Sequence, residues 1–188
     1  MARKKQQQNS VRIIAGKWRG RKLHFLDAEG LRPTPNRVRE TIFNWLQPVI
    51  AGSVCIDCFA GSGALGFEAA SRGAKKVTLV DPNPVAVRQL KQNKEKLEAE
   101  NIEIITNSAV DYFQENIHEA DVVFLDPPFS SNLLQTTLEI IIDRNILKSG
   151  GVVYLEYPAN NQPEPPQGWR WRRQKKTGDV CYGLISLE

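Results

Sequence analysis

Residues 53–70 read SVCIDCFAGSGALGFEAA, an apolar run, a glycine-rich turn and an alanine-rich stretch in direct succession. Val54, Cys55 and Ile56 suit a buried strand, and Gly61, Gly63 and Gly66 follow at the spacing G-x-G-x-x-G. Helical spacing resumes over 63–72. A strand that enters a helix through a glycine turn is the first unit of an open α/β sheet, where ligands bind beyond the C-terminal strand ends. The unit then repeats. Strand-like runs KKVTLVD (75–81), IEIIT (102–106), DVVFLD (121–126) and GGVVYLEY (150–157) alternate with helical segments over 84–99, 109–117 and 132–143. Near-continuous β-branched runs separated by helices predict parallel strands covered on both faces. GWRWRRQKK and DVCYGLISL meet at Thr177-Gly178, a turn signal, so an antiparallel pair is expected to close the sheet.

Ahead of this unit, VRIIAG and RGRKLHF flank GKWRG as a hairpin. In LRPTPNRVRETIFNWL, Thr34 is expected to cap a helix with Pro35 at its first position, and Val38, Ile42 and Trp45 recur at helical spacing. The chain is therefore divided into a flexible basic tail over 1–10, a hairpin-and-helix extension over 11–47 and an α/β domain over 48–188.

Charge is distributed unevenly along the chain. Residues 1–39 hold 11 Lys and Arg against Asp27 and Glu29, whereas 40–168 hold 9 against 17 acids. A basic arm on an acidic body suits a polyanion partner. No apolar stretch is long enough to span a membrane and MARKKQQQNS precedes no apolar region, so a cytoplasmic protein without membrane association is expected. Cys55, Cys58 and Cys181 are expected as packing thiols. CIDC lies in a strand-like run rather than at a helix start, and no second ligand pair accompanies it, so no metal is expected.

Asp81 ends the second strand, where a carboxylate can accept both hydroxyls of a ribose, so a nucleoside-type ligand is expected. Asp57, Cys58, Phe59 and Ala60 separate the first strand from the first glycine. A carboxylate there is poorly placed beside a pyrophosphate and well placed beside a cation, such as the α-ammonium of S-adenosylmethionine. After the third strand, Ser108 and the backbone of Ala109 are candidates for the adenine edge. The expected cofactor set is thus Asp57, Phe59, Ala60, Gly61, Ser62, Gly63, Asp81, Pro82, Ser108 and Ala109.

The fourth strand ends in DPPF, residues 126–129. Pro-Pro removes two backbone donors and fixes φ, so the chain can neither continue the sheet nor start a helix there. The carboxylate of Asp126 and the carbonyl of Pro127 can accept the two N–H bonds of a planar amine and turn its lone pair outward. Phe129 can stack on the ring of a flipped or looped-out base. No metal is required when the methyl donor is already a sulfonium.

RIIAGKWRGRKLHF, GLRPTPNRVRETIFNWL, DCFAGSGALGFEA and FLDPPF together resemble the RsmD-type guanine-N2 methyltransferases of 16S ribosomal RNA. The likeness runs from about Val11 to nearly the end of the chain. It implies a Rossmann-like class I fold, with a seven-stranded sheet in the order 3-2-1-4-5-7-6 and an N-terminal hairpin used on RNA. It also implies S-adenosylmethionine as cofactor and one guanine of 16S rRNA as target, within the small ribosomal subunit or a late assembly intermediate. It carries the loop role to Asp57, Ala60, Gly61 and Gly63, the ribose role to Asp81 and the amine role to Asp126. Asn107-Ser108-Ala109 stands where many relatives have an acid.

In the hairpin, Lys17, Arg19, Arg21 and Lys22 surround Trp18, which either stacks on a base or anchors the hairpin. Arg32 and Arg37 complete the expected RNA set, with salt bridges to Glu40 or the domain as their alternative, and the protein is expected to act as a monomer. WRWRRQKK reads as a strand with one solvated face, structural first and RNA-facing second. Three alternatives stay open on the residues alone: an adenine-N6 methyltransferase on DNA or RNA, a nicotinamide oxidoreductase, and a non-catalytic RNA-binding factor.

Overall fold

The computed structural model describes residues 8–26, 34–115, 119–129 and 131–188. Strands β1 (Gln8–Arg12) and β2 (Lys22–Leu26) form an antiparallel hairpin, followed by α1 (Asn36–Ile50). Then β3 (Val54–Asp57), α2 (Ala64–Ser71), β4 (Lys76–Asp81), α3 (Pro84–Leu97), β5 (Ile102–Thr106), α4 (Ala109–Glu115), β6 (Ala120–Leu125), α5 (Leu133–Asp143) and β7 (Leu147–Pro158) alternate. β8 (Trp169–Thr177) and β9 (Val180–Leu187) end the chain. The sheet order is β5-β4-β3-β6-β7-β9-β8, parallel as far as β7 and antiparallel at β9 and β8. Counted within the sheet, this is the expected 3-2-1-4-5-7-6.

The parallel strands are apolar on both sides, and each side buries its own cluster. Phe43, Leu46, Phe67, Leu79, Leu90, Phe124 and Tyr154 pack on the face covered by α1, α2, α3 and the hairpin. Phe113, Val123, Leu138, Ile141 and Ile185 pack on the face covered by α4 and α5. Cys55 and Cys58 are buried free thiols within these clusters, and burial pushes the Cys55 thiol up to about 12.

One buried carboxylate ties the N-terminal extension to the sheet. Glu68 of α2 is fully buried and accepts from the N–H groups of Ile14 (2.7 Å) and Ala15 (3.0 Å). Arg72 Nε donates to it at 2.7 Å and the buried Arg39 at 3.4 Å. Arg39 donates further to the carbonyl of Arg12 and the side chain of Asn36, so it is an internal clamp between α1, β1 and α2. Ser71 completes the junction, donating to the carbonyl of Ala15 and accepting from the Trp18 N–H. Gly16 is required here, because it has φ +82° and an added Cβ would lie 1.8 Å from the carbonyl oxygen of Ser71.

Local expectations fail in three places. Thr34 does not cap α1. Pro35 holds the cap position in extended backbone, the helix starts at Asn36, and the Thr34 hydroxyl donates to Glu156 instead. β1 begins at Gln8, inside the stretch expected as a tail, because Gln8–Ser10 pair with His24–Leu26. The hairpin strands also stop short of the glycines. Ile13 to Arg21 form a wide turn closed by hydrogen bonds between Ile13 and both Gly20 and Arg21. Residues 1–7, Arg32 and the last two positions of the helix expected over 109–117 lie outside the described residues.

Replacing Glu68 with Ala leaves the buried Arg39 guanidinium without its carboxylate and strands two backbone N–H groups. Loss of one partner from a buried ion pair costs about 3–5 kcal/mol. Urea unfolding of Glu68→Ala should show a loss of that order, and a loss below about 1 kcal/mol would show that the junction does not hold the extension.

Candidate active site

β3 delivers Asp57 to the sheet rim, where it is buried and its Oδ2 accepts the Gly66 N–H at 3.0 Å. A Cβ on Gly66 would lie 2.0 Å from Leu79 Cδ2 and 3.2 Å from Asp57 Oδ2, so only glycine lets α2 approach this closely. Gly63 opens the helix in the left-handed region, with φ +78°. The Gly61 N–H donates to Asp81 Oδ2 and the Asn83 N–H to Oδ1, both at 2.8 Å. The Ala60 N–H donates to the carbonyl of Val80 at 3.0 Å. These bonds fasten the loop after β3 to the end of β4. The glycines shape the loop, and the two carboxylates fix it.

A cleft of about 800 Å³ opens above this loop. Its floor is Phe59, Ala60, Gly61 and Ser62, with Asp81-Pro82 and Ser108-Ala109 on one side and Asp126, Pro127 and Phe129 on the other. Phe129 is 45% exposed at the mouth, unusual for a phenyl ring. Gly63 sits behind the floor, buried against Phe67 and Leu90. The cofactor and amine candidates from separate strand ends therefore converge on one cavity.

Ser108 is placed on the wall, but its hydroxyl is already engaged. It accepts from the Asp111 N–H at 3.0 Å and donates to the Asp111 carboxylate at 2.7 Å, capping α4. The hydroxyl hydrogen is therefore spent on the helix cap, while one oxygen lone pair of Ser108 stays available on the cleft wall. The hairpin cations are placed elsewhere. The Lys17 N–H donates to the carbonyl of Ser71, the last residue of α2, while Ala64 at the start of that helix lines the cleft. One helix of this length separates the turn from the cleft by about 12 Å. Trp18 is buried in the core with Lys17 Nζ 5.5 Å above its ring, so it anchors the hairpin and presents no free face for stacking. Arg21 donates to the carbonyl of Lys96, whereas Lys17, Arg19, Lys22 and Arg37 are exposed.

Two polar residues given no part in a site by the sequence, Glu156 and Thr34, complete the cleft, with Tyr154 bonded to the first. Glu156 near the end of β7 accepts from Tyr154 Oη at 2.6 Å and from Thr34 Oγ1 at 3.3 Å. It follows Leu155, the register partner of Leu125, which precedes Asp126, so the two acids end neighbouring strands. Its signal in the sequence is an acid at the end of an otherwise apolar strand. Burial, then the charges of Glu156 and Asp57, hold the Asp126 carboxyl well above its ordinary range, opposed by a hydrogen bond from Thr34. Burial raises Glu156 also, opposed by Tyr154 and Thr34. Among the described residues, no three His, Cys, Asp or Glu side chains gather as metal ligands.

Comparison with known proteins decides the family. The family described as Conserved hypothetical protein 95 matches residues 11–186. The relative named Ribosomal RNA small subunit methyltransferase D from Haemophilus influenzae is 47% identical over 178 residues, covering 93% of this chain and 92% of its own. The protein of the same name from Escherichia coli K12 is 43% identical over 179 residues, covering 95% and 90%. The chain belongs to the RsmD methyltransferase family. Its fold agrees with that assignment. The solved structure described as the putative methyltransferase yhhF from Escherichia coli superposes with a TM-score of 0.89 at 42% identity, covering 96% of this chain and 99% of that one. The glycine loop and DPPF of this RsmD-type chain stand on adjacent strands, β3 and β6.

Burial pushes the Asp57 carboxyl up to about 7, opposed by the Gly66 N–H and assisted by the Asp81 charge. The folded chain therefore keeps a proton on Asp57 that the unfolded chain releases near pH 4. Its contribution to stability is complete below that pH and is lost as pH rises through about 7. The melting temperature of Asp57→Asn should fall less between pH 5 and pH 8 than that of wild type. Equal falls would show that Asp57 is not the group responsible.

Proposed function

We propose that this protein transfers a methyl group from S-adenosylmethionine to the exocyclic N2 of a guanine in 16S rRNA, within the small ribosomal subunit or a late assembly intermediate. The observation that carries the reading is the single cleft joining Asp57, the glycine loop and Asp81 to Asp126, Pro127 and the exposed Phe129. The names of the relatives support an rRNA of the small subunit as substrate.

The residues present fit the cofactor. Asp57 is a buried carboxyl beside Asp81 with no cation against it among the described residues, and burial together with the Asp81 charge opposes its ionisation. An α-ammonium would relieve that opposition. Asp81 keeps a lone pair on each oxygen after its two backbone bonds, enough to accept two ribose hydroxyls. Bound in this cleft, S-adenosylmethionine supplies a methyl group activated on a sulfonium, and the protein acts without a metal ion.

The chain's own residues then orient and deprotonate the amine. Asp126 and the Pro127 carbonyl accept its N–H bonds, directing the nitrogen lone pair toward the glycine-loop side. Pro127 and Pro128 make that carbonyl rigid, and the Ser131 hydroxyl and N–H close the next turn on the carbonyl of Pro128, at 2.7 Å and 3.1 Å. Phe129 stacks on the base. Once methylated, the nitrogen is acidic and sheds a proton. Burial raises the pKa of Asp126, which makes its ionised carboxylate a stronger proton acceptor than an ordinary one. Lys17, Arg19, Lys22 and Arg37 are assigned to phosphates beyond the target nucleotide.

Asp126→Ala should lower methyl transfer to small subunits by about 100-fold or more while cofactor still binds, as expected for loss of an orienting group. Normal turnover would remove the amine-acceptor role. Asp81→Ala should weaken cofactor binding by about 1–3 kcal/mol in calorimetry. An unchanged dissociation constant would remove the ribose role.

A further inference from the structure

β8 is the edge strand of the sheet, and between Trp169 and Thr177 it carries Arg170, Arg172, Arg173, Lys175 and Lys176 with no acid. It runs antiparallel to β9, which runs antiparallel to β7, so β8 climbs in the direction of β7 toward the rim. The turn that follows, Thr177 to Asp179, lines the cleft. A basic ribbon of nine residues, about 30 Å long, therefore leads up to the site.

A bulge decides which way its charges face. Trp171 pairs with Ile185 and Arg173 with Leu184, so Arg172 is an extra residue. Arg172 is folded back on the sheet, its Nε donating to Ser186 Oγ at 2.6 Å and its Nη2 to the Leu187 carbonyl at 3.3 Å. The extra residue reverses the alternation beyond it. Arg170 lies opposite Ser186, Arg173 opposite Leu184 and Lys175 opposite Tyr182. Ser186, Leu184 and Tyr182 alternate along β9 and share a face, so all three cations share it too. Unbroken alternation would have sent Arg173 and Lys175 to the opposite face, with Trp171.

The shared face is that of the active site. Tyr182 lines the cleft and lies opposite Glu156, the neighbour of Asp126, so a row runs from Asp126 through Glu156 and Tyr182 to Lys175. Arg170, Arg173 and Lys175 are exposed and make no ion pair among the described residues. Protection of a sheet edge accounts for scattered cations but requires no shift of phase toward the cleft. We propose that Arg170, Arg173 and Lys175 form a phosphate track on which the sugar–phosphate backbone of the RNA substrate lies as it enters the cleft. The proposal rests on the methyl-transfer reading above for the identity of the polyanion.

Lys176, opposite Cys181 on the other face, is a control of equal charge. The test measures binding of unmethylated small ribosomal subunits against KCl concentration, with labelled methyl transfer and cofactor affinity read on the same preparations. Replacing Arg170, Arg173 and Lys175 with Ala should flatten the slope of log K against log salt by about two to three units. Lys175→Ala alone should flatten it by about one unit, and Lys176→Ala by clearly less. Cofactor affinity should not change. A wild-type slope in the triple variant would overturn the track, whether or not that variant self-associates through its bared edge. Equal effects of Lys175→Ala and Lys176→Ala would also overturn it. Wild-type protein that binds subunits but transfers no methyl group would instead overturn the reading beneath it.

Discussion

The hydrogen bond from the Gly66 N–H to Asp57 Oδ2 is the constraint around which the site is arranged. It places a carboxylate in the sheet interior, where desolvation opposes ionisation, and holds the first turn of α2 against β4 through a glycine that admits no side chain. The glycine loop cannot rise without breaking that bond. Asp81 then captures Gly61 from the neighbouring strand, so the loop is held from both sides. The result is a preorganised floor around a buried carboxyl that no cation of the described residues neutralises.

A second buried carboxylate, Glu68, does comparable work on the N-terminal extension. With Arg39 and Ser71 it binds the hairpin turn to α2, so that the turn packs at the far end of that helix while the start of α1 lines the cleft. Thr34 reaches Glu156 because of this docking, and Glu156 in turn stands beside Asp126. The extension thus contributes to the reaction chamber directly, through Thr34, Pro35 and Val38 in its wall. The cations of the hairpin turn lie at the far end of α2, and those of β8 lie on the edge of the sheet.

The order of the sheet is legible in the sequence because each parallel strand is apolar on both faces and each is followed by a helix. Asp57, Asp81 and Asp126 are legible as residues of the sheet rim for a related reason: each is an acid that ends an apolar run. What escapes the sequence depends on partners distant in the chain. Thr34 before Pro35 has the form of a helix cap, and only the position of Glu156 turns it into the cleft. Trp18 among four cations has the form of a stacking ring until Ser71 draws its backbone onto α2. Ser108 also caps α4 through Asp111, three residues on, a local role that the motif by itself does not display. The bulge at Arg172 is invisible to alternation, since it is the alternation that it interrupts.

The central claim concerns one base and one nitrogen. Small subunits from cells lacking the gene, incubated with this protein and isotopically labelled S-adenosylmethionine, can be digested and their nucleosides resolved by mass spectrometry. The account predicts the label in N2-methylguanosine from a single position of 16S rRNA. Label in N6-methyladenosine, or intact subunits that bind the protein and acquire no label, would contradict it.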